Sequence, residues 1–164
     1  MVAAPRAAAG DGTGEFAAEV ARLTGFGLVV APAVDDGYER RVREVARGAL
    51  AFYVEIHGSE RRDSVDRIDV GTVGVDADQI LKLRTLFELV RDAHLRGRAP
   101  AMRLHVRVAP AEGAAERARV ERVSSRALSV ELPRLARHEG RDLYTQILAD
   151  FLREAIALPP PARP

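Results

Sequence analysis

Residues 65–108 read VDRIDVGTVGVDADQILKLRTLFELVRDAHLRGRAPAMRLHVRV, and the order strand, capped helix, strand that they imply decides the fold class. At the centre, Asp76-Ala77-Asp78-Gln79 marks a helix start. An aspartate there accepts from backbone N–H groups of the first turn, and a glutamine three positions on closes a capping box. Ile80, Leu83, Phe87, Val90 and Ala93 then recur at helical spacing, Leu81 and Leu86 widen the apolar stripe, and Gly97 stops the helix. Residues 65–75 read as the strand before it. After it, Met102, Leu104, Val106 and Val108 alternate with Arg103, His105 and Arg107, as in a half-buried strand with one basic face. The unit fits a crossover within one sheet.

Working outward, residues 50–57 (LAFYVEIH) are open to two readings, since they can extend a helix that starts near Asp35 and Asp36 and buries Tyr38, Val42, Val45 and Ala49. Their β-branched and aromatic content favours a strand with Leu50, Phe52, Val54 and Ile56 on one side. Residues 58–64 (GSERRDS) are a polar turn, so a hairpin with 65–75 is expected. A short helix over 15–24 and a strand over 25–30 come earlier. Leu128, Val130 and Leu132 alternate in a strand ended by Pro133, and residues 141–158 form an amphipathic helix. The expected organisation is a disordered leader (1–13), a single α+β domain (14–158) and a proline-rich disordered tail (159–164). The domain should hold a mixed or largely antiparallel sheet of four to five strands with helices mainly on one face.

The leader contains Gly10-Asp11-Gly12-Thr13-Gly14. A phosphate-cradling loop needs a preceding strand and, in one form, a Gly-Lys-Ser/Thr end, and the sequence shows neither. With 164 residues, 47% hydrophobic and 30% charged, the chain can bury a core without staples. It has no cysteine, which removes thiol nucleophiles and cysteine-held metal. There is no secretory signal pattern and no apolar run of membrane-spanning length, so a cytoplasmic protein without a membrane partner is expected.

The net charge of +1 balances 25 basic against 24 acidic residues and offers no global field for nucleic acid. A local arginine stripe of Arg103, His105, Arg107, Arg119, Arg122 and Arg126 is the binding candidate. No stacking aromatics interrupt it. The catalytic candidates are His57, Asp69 and His105, with Asp69 also placed to pair with Arg103 or Arg107 across the sheet. No histidine spacing collects metal ligands, and no serine sits in a nucleophile elbow, so neither a metal nor a cofactor is expected. By elimination the balance goes against an enzyme and towards a non-catalytic accessory or interaction module acting on a protein partner or a second copy. A nucleic-acid-binding module using the arginine stripe and a small cofactor-free acid–base enzyme are the alternatives.

Overall fold

The computed structural model describes residues 1–35, 37–48, 50–59, 66–97, 104–111 and 113–159, with the side chains of Ala115 and Glu116 also outside that description. Among the described residues the strands are β1 (Val2–Ala4), β2 (Leu28–Val30), β3 (Tyr53–Gly58), β4 (Arg67–Val73), β5 (His105–Pro110) and β6 (Ala127–Leu132). The helices are α1 (Thr13–Thr24), α2 (Tyr38–Ala46), α3 (Ala77–Leu95), α4 (Ala114–Glu121), the single turn α5 (Arg134–Arg137) and α6 (Arg141–Ala157). The strands form one sheet in the order β2-β1-β3-β6-β4-β5.

The α+β class and the mixed sheet are as expected, but two details of the expectation are corrected. The sheet has six strands rather than four to five, and it is mostly parallel, with β4 against β6 the antiparallel pair. The expected hairpin does not form either. β3 and β4 are both strands, but β6 lies between them and pairs with each. The crossover of residues 65–108 is present, since β4 and β5 are parallel neighbours joined through α3.

The largest correction concerns residues 1–13. Instead of a disordered leader they supply β1, which is fully buried between β2 and β3, and the N-cap Gly12 and first residue Thr13 of α1. Residues 160–164 of the expected tail lie outside the described residues, as does Arg103.

The register gives the sheet two unlike faces. Val2, Val54, Ile56, Leu128, Val130, Ile68 and Val70 point to one side and pack under α1, α3 and α6 in the larger core cluster. Phe87 of α3 stacks on Phe151 of α6 with ring centroids 4.2 Å apart. The opposite face grades along the strands. Its row Tyr53↔Ala127↔Val73 is apolar and belongs to a second cluster with Tyr38 and Val42 of α2 and Val120 of α4. The next rows on this face turn polar and are left as a cleft. Leu81, expected in the α3 stripe, is instead 64% exposed, because it stands about 200° round the helix from Leu83, which with Phe87 sets the buried direction.

Candidate functional site

Two polar rows of the second face form the site. One runs Glu55↔Ser129↔Gly71↔Ala109 and the other His57↔Glu131↔Asp69↔Arg107, each crossing β3, β6, β4 and β5 in sequence. Opposite residues on neighbouring strands stand with Cβ atoms about 5 Å apart, so four chemically different side chains share one short line. All of these residues except the fully buried Glu55 line a cleft of about 850 Å³ whose rim includes Arg6, Asp11, Gly113 and Ala114. That volume is within the range that accommodates a small-molecule ligand.

The place of the cleft follows from topology. From β1 the chain runs through α1 to β2 on one side, then through α2 back to β3 on the other side of β1. α1 and α2 belong to clusters on opposite faces. The ends of β1 and β3 are therefore a topological switch point, where departing loops separate and leave a crevice. Arg6 and Asp11 follow β1, and His57 and Gly58 end β3.

The loops are tied together by Arg137, whose guanidinium is buried against the sheet end and donates to the carbonyls of Asp11 and, at 3.1 Å, Ser59. It passes so close over Gly58 that a Cβ there would lie 2.7 Å from Cζ. A strand does precede the glycine cluster, contrary to the sequence reading. Its helix start is nonetheless filled from within, because Asp11 accepts from the Thr13 backbone N–H at 2.8 Å and from the Thr13 hydroxyl at 3.0 Å. The acidic side chain occupies the place where an anion would meet the helix.

Beneath the cleft floor lies a buried charge network. The Glu55 carboxylate has no exposed surface and is gripped by both terminal nitrogens of Arg119 from α4. It accepts a hydrogen bond from the Tyr53 hydroxyl at 2.8 Å, and the Tyr53 oxygen in turn accepts one from the Tyr38 hydroxyl at 2.8 Å. His57 Nε2 is 3.2 Å from the second carboxylate oxygen. Burial alone would raise the Glu55 pKa. The hydrogen bonds from Arg119 and His57 outweigh it and hold the group at about 2. Burial and the neighbouring carboxylate push the Tyr53 hydroxyl above its ordinary range, which keeps it a donor. Because an ionised carboxylate only accepts, the ring of His57 carries its proton on Nε2, and in the neutral ring Nδ1 is the acceptor.

Of the expected catalytic residues, the structure brings His57 and Asp69 into one cleft but leaves His105 at the open end of β5, 65% exposed and 3.8 Å from Asp66. Asp69 makes the cross-strand ion pair that its position suggests, with Arg107 at 2.7 Å, and a second with Arg67 at 3.0 Å. The arginine stripe is not one face. Arg107 sits in the cleft and Arg119 turns inward to Glu55, while Arg122 reaches Glu39 of α2. Arg126 is buried over the Phe52 ring and donates to the Ala155 and Leu158 carbonyls at the end of α6.

Sequence reasoning passed over Glu55, Glu131 and Arg6. Glu131 lines the cleft half-buried, and no described residue bonds its carboxylate. The signal available in advance was that Glu55 and Glu131 are polar positions in otherwise apolar strands. What was lacking was the register that sets Glu131 beside His57. Among the described residues no group of three or more His, Asp or Glu side chains is placed to hold a metal ion, and no helix is long and apolar enough to cross a membrane.

No protein-family model matches the chain, and no curated protein matches its sequence. Among solved structures the fold is similar to that of N-acetylmuramoyl-L-alanine amidase AmiC2 of Nostoc punctiforme, at 17% identity and a TM-score of 0.50 over 94% of this chain and 93% of that one. This corrects the expectation of a non-catalytic accessory or interaction module, because the same fold, over nearly its whole length, serves an enzyme. The nucleic-acid alternative loses its footing with the dispersal of the arginine stripe.

Proposed function

We propose that the chain is a hydrolase that cleaves an amide bond in the cleft, with His57 and Glu131 handling the proton. The observation that carries this reading is the His57–Glu55 hydrogen bond beneath the cleft, set beside the unpartnered carboxylate of Glu131 on the neighbouring strand. A buried carboxylate that fixes the orientation of an imidazole is the arrangement that makes histidine an effective general base.

In this reading a water molecule lies between His57 and Glu131. His57 takes one of its protons through Nδ1, while Glu131 accepts a hydrogen bond from the other and aims the oxygen at the substrate carbonyl carbon. The new C–O bond forms as the carbonyl π pair moves to oxygen. The C–N bond then breaks, and the proton held by His57 passes to the departing nitrogen, giving an amine and a carboxylic acid. Glu55 does not touch substrate. It is a positioning residue that keeps the ring in place and opposes the charge the ring gains during the transfer.

The similarity to an amidase suggests the linkage between a lactyl-bearing amino sugar and an amino acid as the first amide to try. The test is incubation of the purified chain with N-acetylmuramoyl-L-alanine, reading release of free L-alanine. The expected result is cleavage that falls by about a hundredfold or more in Glu131→Gln and in His57→Ala, the range for removal of a general base. Glu131 has no partner among the described residues, so its substitution leaves the fold intact. Undiminished cleavage in both variants, or none by the parent chain, overturns the reading.

A further inference from the structure

The cleft lining carries charges of both signs, and nearly all are neutralised from within. Asp69 is held by Arg67 and Arg107, Arg119 by Glu55 beneath the floor, and Asp11 accepts from Thr13, with the Arg137 guanidinium 3.9 Å away. Two groups stand outside this internal pairing: Glu131, to which the proposed chemistry gives a role, and Arg6, to which it gives none. Arg6 lies on the loop just beyond the end of β1, exposed at the cleft rim, with no side-chain hydrogen bond or ion pair among the described residues. The loop itself is fixed, since Ala7 N–H donates to Ala31 O at 3.0 Å and Arg137 holds the Asp11 carbonyl. Arg6 is therefore an unpaired guanidinium on an anchored stretch of chain, facing the space where substrate would lie.

We propose that Arg6 is the specificity residue of the cleft, binding a carboxylate carried by the substrate close to the bond that is cut. The inference rests on the hydrolase reading for the identity of that bond, but the binding itself can be tested without turnover. Strand order sets the scale: β1 and β6 are separated by β3, about 10 Å in all. The arm of an arginine spans much of that distance, which leaves the carboxylate about one residue from an amide held beside Glu131. The substrate class is an acylated amino acid with a free α-carboxylate, or a short peptide ending in one. Guanidinium suits this task because its planar fork meets both carboxylate oxygens at once.

The experiment compares binding of N-acetylmuramoyl-L-alanine and of its C-terminal amide, by NMR titration, to the Glu131→Gln chain and to the Arg6→Gln/Glu131→Gln chain. The single variant should bind the acid about tenfold more tightly than the amide, the order expected for an exposed charge-assisted pair. The double variant should lose that preference while still binding the amide, and Arg6→Lys should restore only part of it. A preference that survives Arg6→Gln, or no binding of the acid by the single variant, overturns the proposal. If the preference depends on Arg6 but the unsubstituted chain cleaves nothing, the carboxylate anchor stands and the hydrolase reading alone falls.

Discussion

Glu55 is a carboxylate from which water is entirely excluded, and the protein holds it ionised by surrounding it with donors: Arg119, Tyr53 and His57. Removing the charge strands its partners. Glu55→Gln would leave the Arg119 guanidinium, whose side chain is 12% exposed, with no counter-charge, and the expected cost is about 3–5 kcal/mol in thermal or denaturant unfolding. The same residue sets an acid limb of stability. Its folded pKa of about 2 lies below the ordinary 4.5, so the unfolded chain binds the proton more readily. Its contribution is fully present above about pH 4.5 and is lost as pH falls from there towards 2. Denaturant midpoints measured across that window should drop in the parent chain. In Glu55→Gln the drop should be smaller, and an unchanged acid limb in the variant would place the titrating group elsewhere.

At the scale of elements, the start of α3 shows what local sequence specifies and what it leaves open. Asp76 caps as its position implies, accepting from the Gln79 N–H at 2.8 Å. Asp76→Ala should therefore cost about 1 kcal/mol of stability, read from the shift in denaturant midpoint. Gln79 does not close the box. Its amide donates to the Pro159 carbonyl at 2.6 Å and ties the start of α3 to the end of α6, a partner 80 positions away in the chain. The strands over 53–58, 67–73, 105–110 and 127–132 were legible because alternation is a local signal. The placing of β6 between β3 and β4 was not, because pairing depends on long-range registry that a single sequence does not state. The candidate site shares that limit. His57 and Asp69 could be chosen by chemical type, but Glu131 becomes interesting only once β6 sets it between them.

For the molecule as a whole, the misread segment is an internal strand of the sheet. Val2-Ala3-Ala4 is short, has two residues of weak strand preference and runs into Pro5, so nothing local separates it from a flexible tail. Its place is won by tertiary packing: small side chains are buried on both faces, between β2 and β3, where a parallel strand has no solvent side. The two readings give opposite forecasts for a chain starting at residue 14. A dispensable leader could be removed with little change in melting temperature. In this fold the deletion takes out an internal strand, separates β2 from β3, exposes core residues such as Val54 and Phe16, and removes Arg6 and Asp11 from the cleft. The expected outcome is a chain without a cooperative thermal transition, measured by circular dichroism. Ala3→Asp should weaken the full-length chain in the same direction, because it places an unpaired charge at a fully buried position in the second core cluster. A truncated chain that melts as the parent does would remove β1 from the sheet, and with it the switch point on which the position of the cleft depends.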